Sequence, residues 1–515
     1  MKGTPVKKSV LLTMFMLFQT VIAPADDSAV GDLARQRNFN ATRHYYEELI
    51  SGTINNGAEL NLVMTMLPKG GDLHNHYSGA IYSETYLDWL EKLAYCIYSE
   101  NDPTLQAEKY RIETRANIPE SARKICRTAD AVRKDNAFYR ELLKRWSNKD
   151  YNNHYHEQSA PDQQFFDTFG YFWAASNYSY KEGLNILKER AKAENLQYLE
   201  TMIKGAPDTN NPVLARQING LARNADEKDV YRALAAYADF MAGDPEAQNK
   251  ISDYVNTLET AISGVEDDDF KIRLQSYVSR NNPPAQIFSG LYSACAASQK
   301  SKVIVGVNFV GPENGYVAMR DYKLHMQMFK FLKERFPAIR ISLHAGELAL
   351  GMVPPEALKF HIHDAVEVAG AKRIGHGVDI SHESGAFELL DSMKAKMIAV
   401  EVNITSNEFI LGVKNEAHPV NLYRRYGVPI VISTDDPGVS RNNLSGEYVL
   451  FVSRYKPSYQ ELKDIVFNSI RYSFLRDAEK ARELNELDRR FERFEALVEK
   501  QFRAIKLSPG PVPEE

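Results

Sequence analysis

From about residue 196 onward, short β-prone apolar runs alternate with longer amphipathic stretches of helical spacing. The runs fall at 196–203, 270–278, 303–310, 339–343, 373–375, 397–402 and 429–433. Such alternation predicts βαβ units around a parallel sheet. One more strand just before Asp72 brings the count to eight, the number that closes a (β/α)8 TIM barrel. The α/β barrel is expected over residues 67–506.

Outside these runs the pattern changes. Residues 26–66 are polar with helical spacing and predict an N-terminal helical arm, with Asn40, Ala41 and Thr42 as a cap before residues 44–50. Residues 82–160 are dense in Tyr, Arg, Lys and Glu and predict a helical insertion after strand 1, with helices at 121–134 and 137–146. Such an insertion suits a lid, and either it or the N-terminal arm suits a homodimer surface. Residues 457–506 are helical and rich in Glu, Arg and Lys, which predicts a solvated terminal region. The Pro-containing tail, 507–515, reads as disordered.

Composition narrows the class. With 515 residues, 44% hydrophobic and 25% charged, the chain suits one large catalytic domain with added elements. A net charge of −5 supplies no overall positive field, which disfavours nucleic-acid partners. Lys2, Lys7 and Lys8 precede an apolar run over 10–18, and Ala23-Pro24-Ala25 has the small-x-small pattern of a cleavage site. Residues 1–25 are therefore expected to be a signal peptide, and the protein to be exported to a periplasm or secreted. The run is too short to span a bilayer and no later segment is long enough, so stable membrane insertion is not expected. In an oxidising compartment Cys96 and Cys126, which share one stretch, are candidates for a disulfide. Cys295 reads as a small buried apolar residue. The absence of a CxxC pattern excludes a cysteine-based zinc site.

The candidate chemistry stands at the C-terminal ends of the expected strands. The first ends in Asp72-Leu73-His74-Asn75-His76, the fifth in His344-Ala345-Gly346-Glu347, the sixth in Gly375-His376-Gly377 and the eighth in Ser433-Thr434-Asp435-Asp436-Pro437. In a barrel these ends converge on one face, where active sites are built. His74 and His76, two apart on an extended segment, point the same way. With His344 and a carboxylate they make a nitrogen and oxygen donor set suited to Zn2+ with a place left for water. Such a metal lowers the pKa of water from about 15.7 to roughly 7, worth about 12 kcal/mol, whereas a side-chain base alone typically gives about 10²–10⁴ in rate. Glu347, three residues beyond a candidate ligand, is placed to act as an acid. An HxH pattern alone is weak: His154 and His156, and His361 and His363, share the spacing in segments that read as loop and helix.

These blocks, together with Met66-Leu67-Pro68-Lys69-Gly70-Gly71 before the first, Arg373-Ile374 before Gly375 and Glu401-Val402-Asn403-Ile404-Thr405-Ser406-Asn407, resemble the adenosine deaminase family in content and order, over roughly residues 67–475. The export signal and N-terminal arm suggest its secreted branch. The resemblance implies a barrel enzyme in which His74, His76, His344 and Asp435 bind one zinc ion. Glu347 would share a proton with purine N1, His376 would position or deprotonate the attacking water, and Asp436 would bond the purine near N7. Gly311, in Val310-Gly311-Pro312-Glu313, aligns with a glycine whose amide meets the ring. The implied partner is a purine nucleoside.

The chain departs from the family at three points. Ser78 replaces an Asp that usually meets the ribose 5′-hydroxyl, and Asn308 and Pro312 stand where acidic residues are common. Ser78 leaves open a substrate such as adenine, AMP or a 5′-modified adenosine. A zinc-fold binding or growth-factor-like protein is the alternative of another class, and the intact Glu347, His376 and Asp436 weigh against it.

Overall fold

The computed structural model describes residues 27–51, 57–102, 107–113, 118–151, 159–221 and 225–507. The expected signal peptide, residues 508–515 of the expected tail, and the pair His154 and His156 lie outside the described residues.

The strands in chain order are β1 (Gly71–His76), β2 (Cys96–Asp102), β3 (Ala107–Glu113), β4 (Tyr198–Gly205), β5 (Lys271–Ser279), β6 (Ile304–Val310), β7 (Ser342–Ala345), β8 (Arg373–His376), β9 (Ala399–Val402) and β10 (Ile430–Ile432). β2 and β3 pair as an antiparallel hairpin; the other eight are parallel, in the orders β1-β4-β5-β6 and β10-β9-β8-β7. Two single bridges join these halves into one ring. Val307 pairs with Ile341 between β6 and β7, and Asn75 pairs with Asp435 between β1 and the chain just after β10. The barrel expected from the sequence is therefore present, and its second seam lies where His74, His76 and Asp435 meet.

β1 does not stop before Asp72 but contains Asp72, His74 and His76. Apart from Leu73 its side chains are polar, so no apolar alternation marks it, yet every residue but His76 is buried. Gly70, at φ 63°, turns the chain into this strand. A Cβ there would lie 2.4 Å from Ser469 Oγ, so the close approach needs glycine.

The helix Asp27–Ser51 runs unbroken through Asn40, Ala41 and Thr42, so the expected cap does not form. Thr42 is instead buried, with its hydroxyl donating to the Glu495 carbonyl at 3.3 Å, and Tyr46 donates to the Pro457 carbonyl at 2.9 Å. Thr42, Tyr46 and Ile50, spaced by four, form one buried face. The arm thus packs on the two terminal helices, Tyr459–Arg471 and Asp477–Leu507. The last helix is solvated on one side only, because Leu487, Phe491, Phe494 and Val498 are buried along the other.

The insertion is helical over Ser83–Lys92, Ala129–Lys134 and Asn136–Arg145, and adds the β2–β3 hairpin that its composition did not announce. The helix expected from 121 begins only at Ala129. Before it, Cys126 is disulfide-bonded to Cys96 and Arg127 exchanges two backbone hydrogen bonds with Ile97, which holds this segment extended until Thr128 caps the helix. Cys295 is a buried free thiol. The following helix, Pro161–Ser176, packs against the turns Tyr77–Ala80 and Pro437–Ser440 and the helix Ile404–Leu411, and so walls the C-terminal mouth of the barrel. Among the described residues, no helix is long and apolar enough to cross a membrane.

Candidate metal centre and active site

The β1–β10 seam sets the geometry. Asp435 N donates to the His74 carbonyl at 2.9 Å and His76 N donates to the Asp435 carbonyl at 3.0 Å, so the two motifs are fixed by backbone. Asp435 (φ 62°) and His376 (φ 69°) both hold left-handed conformations, which cost of order 1–3 kcal/mol each and are sustained where surrounding structure over-determines them. Four candidate donor atoms, from His74, His76, His344 and Asp435, lie within 4.8 Å of one another. His76 Nε2 is 3.1 Å from Asp435 Oδ1 and 3.1 Å from His344 Nε2, and His74 Nε2 is 3.3 Å from Asp435 Oδ1. Donors placed tetrahedrally around zinc stand roughly 3.3 Å apart. Two imidazole nitrogens aimed at one another, and the buried His74 Nε2 lacking a hydrogen bond, are what such an ion would satisfy.

Outer partners fix the ring tautomers. His74 Nδ1 meets Glu401 Oε2 at 2.6 Å, and a carboxylate only accepts, so this nitrogen carries the proton and Nε2 offers its lone pair inward. Glu401 is held in turn by Arg373 Nε at 2.5 Å and Ser342 Oγ at 2.9 Å. His344 Nδ1 meets Asn308 Oδ1 at 2.9 Å; the amide is oriented because Asn308 Nδ2 donates to Gln275 Oε1 (3.0 Å), while Gln275 Nε2 donates to the Leu73 carbonyl and to Glu200. Asn308 therefore does as an acceptor what a carboxylate does for His74.

The electrostatics favour positive charge at the centre. Burial disfavours charge on His74, but Asp435 and Glu401 outweigh it and raise the ring to about 10. Burial would raise the Asp435 carboxyl, yet His74 and His76 hold it well below the usual carboxylate range. His344 is pushed well below the usual imidazole range by burial, then by His74 and His76. A cation or a proton on Nε2 supplies the charge that these carboxylates favour.

The remaining groups surround that corner. Glu347, His376 and Asp435 form a second cluster of candidate donor groups, with His376 Nε2 3.6 Å from Glu347 Oε1. Glu347 is pinned at its backbone, where N–H groups of Gly346 and Glu347 donate to Glu313 at 3.2 and 2.9 Å. Glu313 also meets His361 Nδ1 at 2.6 Å and faces Arg280, which donates to the His344 carbonyl at 2.6 Å. Burial, then Asp435 and Glu313, push the Glu347 carboxyl well up. Asp436 is raised well above the usual range by burial and then by Asp435. It sits directly over Gly79: a Cβ on that residue would lie 1.6 Å from Asp436 Oδ1.

Ser78 lies half-buried on the turn Tyr77–Ala80 beside Gly79, and its carbonyl accepts from the Tyr86 hydroxyl at 2.6 Å. Gly311, at φ 98°, follows β6 two residues before Glu313. The second HxH pair diverges: His361 is buried against Glu313, whereas His363 is exposed beside Asp364. Glu401, Arg373 and Glu313 stand within the quoted blocks, but their residue types and spacing point to no role. Arg280, Gln275 and His418 carried no sequence signal.

Residues 231–490 match the family model for adenosine deaminase. The chain is 31% identical to the adenosine deaminase of Clostridium perfringens (strain SM101 / Type A) over 175 residues, 34% of this chain and 47% of that protein. It is 30% identical to that of Aliivibrio fischeri (strain MJ11) over 184 residues, 36% and 50% of the two chains. The chain thus spans about half the length of the curated relatives it matches. The fold is similar to that of adenine deaminase from Arthrobacter aurescens (TM-score 0.51, 17% identity, 82% of this chain and 98% of that one). It is similar also to the N6-methyl-AMP deaminase from Arabidopsis thaliana (TM-score 0.51, 17% identity, 83% and 98%).

Proposed function

Because the chain belongs to the adenosine deaminase family, we propose that it hydrolyses the 6-amino group of adenosine, and of 2′-deoxyadenosine, to give ammonia and an inosine-type product. The observation that carries this reading is the convergence of Glu347 and His376 on the corner formed by His74, His76, His344 and Asp435. Those four residues would hold a zinc ion, which supplies the Lewis acidity that makes water a nucleophile at neutral pH. The chain's own groups do the rest. Glu347, kept protonated by its burial, gives its proton to ring N1 as C6 accepts the oxygen. His376, whose Nε2 lies 3.6 Å from Glu347 Oε1, orients the attacking oxygen. Purine N7 is an acceptor, so a bond to Asp436 requires the carboxylic acid, the form its surroundings favour.

Ser78 supports a second reading, in which a 5′-substituted adenosine, AMP or adenine is the better substrate. A serine lacks the charge that would repel a substituted 5′ end. Ammonia release from adenosine, 2′-deoxyadenosine, adenine, AMP and 5′-methylthioadenosine decides between them. Adenosine and 2′-deoxyadenosine are expected to have the highest kcat/KM. Faster turnover of AMP, adenine or the 5′-modified compound favours the second reading, and no turnover of any by zinc-loaded protein favours a binding protein.

We also infer export. The Cys96–Cys126 disulfide supports it, since such bonds persist in oxidising compartments.

A further inference from the structure

We propose that His418 and Asn407 are positioning residues that fix the ring tautomer of His376, so that its Nε2–H faces the reaction centre as a hydrogen-bond donor. The catalytic part of this inference rests on the deaminase reading above; the tautomer itself rests on hydrogen bonds alone.

The backbone N–H of Val420 donates to His418 Nδ1 at 3.2 Å, so that nitrogen is an acceptor. Burial lowers His418 to about 4, which leaves the ring neutral near pH 7 with its one proton on Nε2. That nitrogen lies 3.0 Å from Asn407 Oδ1 and donates to it. The opposite amide orientation would set Asn407 Nδ2 against the His418 N–H, donor against donor. With its oxygen so engaged, Asn407 turns Nδ2 toward His376 Nδ1 at 2.9 Å. An amide nitrogen only donates, so His376 Nδ1 accepts and the ring's proton sits on Nε2. Asn403 Nδ2 lies 3.5 Å from the same Nδ1 and adds a second, longer donor.

The three side chains are buried, at 3% exposure for His418, 0% for Asn407 and 1% for His376, so water does not scramble the sequence of bonds. The site therefore holds buried imidazoles in opposite tautomers. His74 and His344 have acceptors at Nδ1 and turn lone pairs inward, whereas His376 has a donor at Nδ1 and turns an N–H inward. Although His376 stacks edge-on to His74, with ring centroids 5.0 Å apart, this arrangement makes it a donor to the attacking oxygen instead of a fifth ligand. The path from His418 to His376 also gives a physical reason for burying the polar pair His418 and Asn407.

The test uses zinc-loaded full-length protein with 15N-labelled histidine, whose ring nitrogen shifts and couplings report the tautomer. The His376 signals are assigned by their loss in His376→Gln. The wild type is expected to show His376 protonated at Nε2 and bare at Nδ1. In His418→Phe that preference is expected to be lost, with kcat reduced about 10–100-fold, the range for outer-sphere partners of a site, while KM and zinc content hold. His418→Gln, whose amide can accept from Val420 and donate to Asn407, is expected to restore the tautomer and most of kcat. Finding Nδ1–H on His376 in the wild type, or an unchanged tautomer and kcat in His418→Phe, overturns the proposal. If the wild type shows Nε2–H but releases no ammonia from any adenine compound, the deaminase reading fails and the tautomer assignment stands.

Discussion

On the proposed deaminase chemistry, Glu347→Gln is expected to bind zinc as the wild type does, to keep its thermal stability and to lose about 10²–10⁴ of kcat, the usual worth of a positioned acid. Glutamine has nearly the shape of glutamic acid, and the backbone anchors of this residue, the two N–H groups held by Glu313, do not involve the side chain. What changes is the proton. A carboxyl raised by burial and by Asp435 can give one to a ring nitrogen and recover it; an amide cannot. Steady-state ammonia release with metal analysis on the same sample checks this. A variant that stays within about tenfold of wild type would remove Glu347 from the acid role.

Asp435→Ala is expected to lose stoichiometric metal altogether, and turnover with it. Asp435 is the anionic member of the four-donor set, and its Oδ1 lies within 3.3 Å of both His74 Nε2 and His76 Nε2. The loss of affinity should exceed the about 10–100-fold typical of outer-sphere changes. Alanine also meets strain at φ 62°, so Asp435→Asn serves as the companion variant, because asparagine tolerates the left-handed region and removes the negative charge. Metal analysis after gel filtration reads the result. One zinc per chain retained by both variants would strike Asp435 from the ligand set.

Much of this architecture was legible because the fifth, sixth and eighth expected strands are apolar runs with a chemically loaded end. His344, His376 and Asp435 stand where such runs stop, and parallel pairing brings those stops to one face: His344 lies beside Gly375, and Ala345 beside His376. β1 was harder, since beside Leu73 its buried side chains are histidine, asparagine and aspartate, which no apolar periodicity marks. The N-terminal helix read as a polar arm because its buried face consists of Thr42, Tyr46 and Ile50 alone, a sparse pattern that burial reveals. The roles of the outer partners were hidden for another reason. Asn308, Gln275 and Glu401 act on His344 and His74 through space, across strands, and their spacing along the chain carries no regularity. The same holds for His418, whose bond to Asn407 depends on how the segment after Gly412 folds back. Ser78 is the reverse case, visible at once as a departure, with its consequence left to the substrate panel.

Under the proposed function, a metal held by His74, His76, His344 and Asp435 makes this chain a deaminase. The most direct test of this is ammonia release from adenosine by metal-stripped protein titrated with zinc, with bound metal measured at each point. Turnover is expected to rise in proportion to bound zinc and to level off at one ion per chain. Equal turnover by stripped and loaded protein, or none at full occupancy, would contradict it.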